Sequence, residues 1–175
     1  MKFTQSCSEG ESNLADMLAD ADQDGDGIPD DEDASPESSD ADGNGIPDGA
    51  DLTSTLEIEF QDNASVIPTG STKDYNVTVT AKSQAAQTVT SDSYTEVQLE
   101  IIQPEQNPRA QIRSKDTLRL LNGKAVFTIS PDQNPGDFSL VAHTINRPEK
   151  IVSDTLEISS DERKIRVRTY ETEII

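Results

Sequence analysis

Asp22, Asp24, Asp26, Asp30 and Asp33 stand at positions 1, 3, 5, 9 and 12 of a stretch whose sixth residue is Gly27. That spacing suits a hard cation. Ca²⁺ takes about six to eight oxygens, and carboxylates at positions 1, 3 and 5 wrap it from one side. Glycine at position 6 permits the sharp turn, and the carbonyl at position 7, here of Ile28, donates next. Position 9 ligates directly or through water, and position 12 closes the shell. The arrangement recurs 18 residues later as Asp40, Asp42, Asn44, the carbonyl of Ile46, Asp48 and Asp51, with Gly45 at the turn. Eight of the twelve positions are identical, including Gly-Ile-Pro-Asp at the same offset. A frame beginning at Asp20 also fits the first stretch. Aligning the second copy makes Asp22 position 1 and leaves Asp20 as an outer-shell oxygen.

A solvated Asp/Gly linker seldom reproduces such a pattern twice, so two or more calcium ions are expected. Asp at position 12 is shorter than the bidentate Glu of tight sites. Dissociation constants on the order of 10⁻⁴ to 10⁻⁵ M follow, with the more carboxylate-rich first loop the tighter. Sites of that strength stay filled outside a cell better than inside one, so an extracellular or cell-surface location is expected.

The surrounding chain divides sharply near residue 52. Residues 1–52 hold 16 Asp and Glu against one Lys, a net of −15 out of −20 for all 175 residues. Residues 53–175 hold 18 acidic and 13 basic residues, a net of −5. The acidic part is too poor in apolar residues to offset its chain entropy unaided. In residues 1–19, Leu14, Met17 and Leu18 share one helical face behind a capping Ser12, so a short helix is expected near 12–20.

Pro at position 8 and the lack of a long amphipathic helix after position 12 set these loops apart from helical EF-hands. The pattern D-x-D-x-D-G-x-x-D-x-x-D, with Gly-Ile-Pro-Asp inside, resembles the thrombospondin type 3 repeat in its bacterial form, over about residues 20–52. The resemblance implies an extended, calcium-organised segment whose core is metal. Two departures stand out: the cysteines that crosslink animal versions are absent, and Asn44 replaces Asp at position 5 of the second loop.

Beyond residue 52 the apolar period changes to two. Leu56, Ile58 and Phe60 share a face, as do Tyr75, Val77 and Val79, and then Val97, Leu99 and Ile101. Asn122-Gly123 between apolar runs predicts a type I′ hairpin. A turn at Asn134-Pro135-Gly136 leads into 137–144, and strands follow at 154–159 and 164–170. Such spacing predicts a single seven- or eight-stranded β-sandwich over 53–175. The succession NGKAVFTI (122–129), PGDFSLVAHT (135–144) and VSDTLEIS (152–159) resembles a bacterial immunoglobulin-like domain. The expected fold is thus mainly β: an immunoglobulin-like sandwich preceded by a calcium-organised loop segment with a short N-terminal helix.

Other chemistry finds little support. There is no basic patch of the size nucleic acid needs. No run of about 18 apolar residues could cross a bilayer as a helix. One Cys and one His cannot build a four-ligand zinc site, and Cys7 cannot form an internal disulfide. The start, MKFTQSC, lacks the apolar stretch of a signal peptide. His143 stands without a nucleophile motif and is expected to be a structural or surface histidine. The cluster Arg163, Lys164, Arg166 and Arg168 is expected to be a charged outer strand face. Asn63 and Asn76 head glycosylation sequons, the latter inside a strand. No catalytic constellation emerges. The expected function is a calcium-binding structural or adhesive module. The alternatives are a subunit that self-assembles through strands 56–60 and 164–170, and an accessory module of a secreted hydrolase. The last is disfavoured by four Phe, three Tyr and no Trp, most of them on predicted inward faces.

Overall fold

The computed structural model describes residues 21–161. The helix expected at 12–20, Cys7, Asp20, the basic cluster from Arg163 and the strand expected at 164–170 lie outside the described residues.

Nine strands follow in chain order. They are β1 (Thr55–Phe60), β2 (Val66–Pro68), β3 (Tyr75–Lys82), β4 (Glu96–Ile102), β5 (Ala110–Ile112), β6 (Thr117–Arg119), β7 (Lys124–Pro131), β8 (Gly136–Thr144) and β9 (Leu156–Asp161). One sheet has the order β1-β3-β7-β5 and the other β2-β9-β8-β4-β6. The chain is thus a mainly β, two-sheet sandwich. Its central strands follow the immunoglobulin pattern, with β1, β3, β7 and β5 opposite β4, β8 and β9.

Alternation builds the core. Leu56 and Phe60 of β1, Val77 and Val79 of β3, and Val97 and Leu99 of β4 are buried where the period of two places them. Phe127 and Ile129 of β7 and Phe138 and Leu140 of β8 meet them from both sheets. Phe60 stacks on Tyr75, with ring centroids 5.6 Å apart. Phe60, Tyr75, Phe127 and Phe138 therefore serve the core rather than a sugar platform.

Two expectations change, and one pairing is new. Nine strands replace seven or eight, because β2, β5 and β6 are three residues each and too short to show an alternation. β2 pairs with β9 in parallel, Val66 opposite Ser159, and this shifts the first stretch of chain from one sheet to the other. The Asn122-Gly123 turn forms, with φ of 51° and 73° and Leu121 bridged to Lys124. It does not join a hairpin. β6 pairs with β4, whereas β7 pairs with β3 and β5, so the turn carries the chain between sheets. Its backbone is used in docking instead: Gly123 N–H donates to Asp92 O and Gly123 O accepts from Ala81 N–H, each at 2.8 Å.

His143 lies on β8 opposite Gln98. Burial holds its imidazole below the usual 6.5, Lys150 adds to this, and Glu100 opposes it. The folded chain therefore binds this proton less readily than the unfolded chain. Its contribution to stability is intact above about 6.5 and falls as pH drops through that value towards the lower folded one. His143→Gln is expected to flatten the fall in urea midpoint between pH 7 and 5. An identical slope in the variant would show that other groups carry the dependence.

Candidate metal centre

Both acidic loops fold by the same local rule: an Asp side chain accepts from backbone N–H groups a few residues ahead. In the first loop, Asp22 accepts from Gly25 N–H at 2.8 Å and Gly27 N–H at 3.1 Å. In the second, Asp40 accepts from Asn44 N–H at 3.0 Å and Gly45 N–H at 2.8 Å. Asp30 accepts from Gln23 N–H at 2.8 Å, and its counterpart Asp48 from Ala41 N–H at 3.1 Å. Asp30 N–H reaches back to Ala21 O at 2.7 Å, and Asp48 N–H to Ser39 O at 2.9 Å. Gly25 and Gly27 have φ of 75° and 95°, and Gly43 and Gly45 have 73° and 89°. The frame beginning at Asp22 is thus repeated in three dimensions.

The first loop brings its acids together. Asp22, Asp24 and Asp26 each offer an oxygen within 4.8 Å of the others, the one such triad among the described residues. A metal ion could be held there. Asp24 Oδ1 takes the N–H of Asp26 and Asp33 Oδ1 that of Ser35. The other oxygens, Asp24 Oδ2 and Asp33 Oδ2, are buried without a hydrogen-bond donor. A buried carboxylate oxygen left unpaired is costly, and a cation is the natural remedy.

Asp26 is the most enclosed of the group, with 5% of its surface exposed. Burial pushes its carboxyl above the usual value. The Ile28 N–H works against this, the carboxylates of Asp24 and Asp33 work with it, and the Gly49 N–H again opposes. Asp26 Oδ1 accepts from Ile28 N–H at 2.7 Å and Oδ2 from Gly49 N–H at 3.2 Å. Asp26 therefore ties the first loop to the helical turn that ends the second, α1 (Asp48–Asp51).

The second loop is drawn together differently. Asn44 takes position 5. Its Oδ1 accepts from Ile46 N–H at 2.8 Å, as Asp26 does from Ile28. Its Nδ2 donates to Asp42 Oδ2 at 3.2 Å and to Asp51 Oδ2 at 2.8 Å. Ile46, expected only as a carbonyl ligand, also buries its side chain, with 8% exposed. An isolated apolar residue between Gly45 and Pro47 in so polar a stretch is the available sign of that role.

The loops rest on the end of the sandwich where β1 and β4 begin. Ser91 Oγ donates to Gly49 O at 2.7 Å, and Tyr94 Oη to Gly45 O at 3.3 Å. A methyl group on Gly49 would overlap Asp26 O, and one on Gly27 would lie 2.5 Å from Ser91 O. Asp92 is fully buried; it accepts from the hydroxyls of Thr53 and Thr95, each at 2.7 Å, and from Thr95 N–H at 2.9 Å. Arg147, whose side chain is 4% exposed, donates to Ala50 O at 2.5 Å and Thr53 O at 3.0 Å, and lies 3.9 Å from Asp51. Their contacts with the acidic segment have no sequence signal, since Thr53 lies 39 residues from Asp92 and Ala50 lies 97 from Arg147.

No family model matches the chain, and no curated protein matches it. Among solved structures it is similar to a glycosyl hydrolase family 2 member from Bacteroides cellulosilyticus. That match has 10% identity and a TM-score of 0.48, over 63% of this chain and 14% of that one. It is similar to the D00-D0 domain of intimin, at 14% identity and TM-score 0.44, over 61% of this chain and 48% of that one. A third is a β-glucuronidase from Parabacteroides merdae, at 14% identity and TM-score 0.43, over 62% of this chain and 12% of that one. The chain spans less than half the length of each.

The Arg147 clamp makes a prediction independent of any metal. Arg147→Ala strands two backbone carbonyls and is expected to cost about 2–3 kcal/mol in urea unfolding with EDTA present. Arg147→Lys is expected to recover little of it, because one ammonium cannot reproduce the guanidinium fork. A neutral Arg147→Ala would show that the loops dock without it.

Proposed function

We propose that this is a calcium-binding structural or adhesive module, non-catalytic and working outside the cell, in which calcium stiffens the acidic segment against the sandwich. The observation that carries this reading is the pair of buried, donorless oxygens on Asp24 and Asp33 beside the Asp22–Asp24–Asp26 triad. The donor set fits the ion. It consists of carboxylates and backbone carbonyls without imidazole or thiolate, which suits a hard cation rather than zinc or copper. In the first loop, Asp22, Asp24, Asp26, Asp30, Asp33 and the carbonyl of Ile28 would hold it. The ion would supply charge neutralisation to carboxylates that otherwise repel at close range.

Because Asp26 also binds Gly49 N–H, order in the first loop extends to α1 and onwards to Ser91 and Arg147. Binding energy then becomes docking energy for the whole segment. The outside location rests on affinity. A shell closed by Asp rather than Glu suits the calcium levels met by extracellular modules.

The test is thermal melting followed by circular dichroism in EDTA and in 1 mM Ca²⁺. For a dissociation constant near 10⁻⁵ M, the stabilisation is about 2.7 kcal/mol, or roughly 5–10 °C in Tm. Mg²⁺ at the same concentration is expected to do much less, since it demands a tight octahedron and dehydrates reluctantly. Coincident melting curves with and without calcium would refute the proposal.

A further inference from the structure

We infer that the second loop is closed by its own asparagine and takes no ion, so that the segment binds a single Ca²⁺ in the first loop. The inference rests on the calcium reading above and departs from the two or more ions that the duplicated pattern predicts.

The comparison is between equivalent atoms. Positions 3 and 12 each have one oxygen engaged by a local or docking contact and one remaining. In the first loop the remaining oxygens are Asp24 Oδ2 and Asp33 Oδ2, both buried and without a donor. In the second they are Asp42 Oδ2 and Asp51 Oδ2, and both accept from the same atom, Asn44 Nδ2. The amide nitrogen therefore occupies, in hydrogen-bonding terms, the place that a cation would fill one repeat earlier.

The other oxygens at positions 1, 3 and 12 of the second loop are also engaged. Asp42 Oδ1 accepts from Asn44 N–H at 3.0 Å, and both Asp40 oxygens accept backbone N–H groups. Asp51 Oδ1 faces the Arg147 guanidinium at 3.9 Å. Asn44 cannot simply turn its amide over. Its Oδ1 accepts from Ile46 N–H, and a flip would set one donor against another there and leave Asp42 Oδ2 and Asp51 Oδ2 without theirs. An incoming ion would have to displace two amide hydrogen bonds and add its charge beside a buried arginine. The first loop opposes neither. Position 5 there is Asp26, whose side chain has no N–H to offer, and no basic side chain pairs with the loop among the described residues.

Isothermal titration of the EDTA-stripped, dialysed chain with CaCl₂ reads the stoichiometry directly. One ion per chain is expected for the native sequence. Asp24→Asn is expected to abolish binding, whereas its matched counterpart Asp42→Asn leaves one ion. Asn44→Asp, which removes the donor and restores a carboxylate, is expected to raise the count from one to two. Circular dichroism in EDTA checks that each variant folds, and Tm in saturating calcium gives a second readout for any that is marginal. Two ions in the native chain, or loss of the single ion in Asp42→Asn, would overturn this inference and leave calcium binding standing. One ion that persists as one in Asn44→Asp would overturn the role given to Asn44. No binding by the native chain would remove the calcium reading itself.

Discussion

Carboxylates crowded into a short stretch repel one another, and that repulsion must be absorbed before anything else in residues 22–51 can be ordered. The segment has little apolar surface with which to do it. Ile46 and Ala50 are its buried apolar side chains among the described residues. The work falls to backbone N–H groups. Each Asp at positions 1, 3, 9 and 12 of the first loop accepts at least one, mostly from residues two to seven positions away. Such charge-assisted bonds are stronger than neutral ones, and they turn the repelling groups into the framework of the turn. Glycine at positions 4 and 6, with φ between 73° and 95° in both loops, lets the chain present those N–H groups inwards.

The second part of the solution is the sandwich. Its β3–β4 connection offers Ser91, Asp92 and Tyr94, and its β8–β9 connection offers Arg147. Asp92 and Arg147 form a pair of opposite design. The acid is buried and satisfied by hydroxyl and amide donors, without a basic partner in hydrogen-bond contact among the described residues. The base is buried and spent largely on carbonyls at the end of α1, where a cation also meets the negative end of the helical turn. Together they make the boundary near residue 52 a continuous hydrogen-bonded joint.

Much of this is legible in the residues. The long strands announce themselves because strict alternation over six or more positions suits a half-buried strand and little else. Leu56 and Phe60, and Val77, Val79 and Ala81, are buried accordingly. The loop frame is legible because two copies constrain each other. What escapes is whatever depends on distant partners. A three-residue strand such as β5 has no period to detect, and the parallel β2–β9 pairing joins residues more than 90 positions apart. The Asn122-Gly123 dipeptide specifies a turn but not which strands its flanks will join. At Asn44 the sequence shows only a missing charge. Its donated hydrogen bonds, which set it apart from Asp26, emerge only when Asp42 and Asp51 are placed around it.

The close approach of Gly49 to Asp26 gives the duplication a direction. Gly49 stands where the first copy has Asp31, and a side chain there would collide with the backbone of Asp26. Only a copy carrying glycine at that position can lie next to the sandwich with another copy stacked behind it. Gly27 likewise fits the first copy against Ser91. The two units are therefore not interchangeable beads. A copy of the first unit set in the second unit's place would bring an aspartate side chain against the backbone of its neighbour, so the order of the two units is fixed.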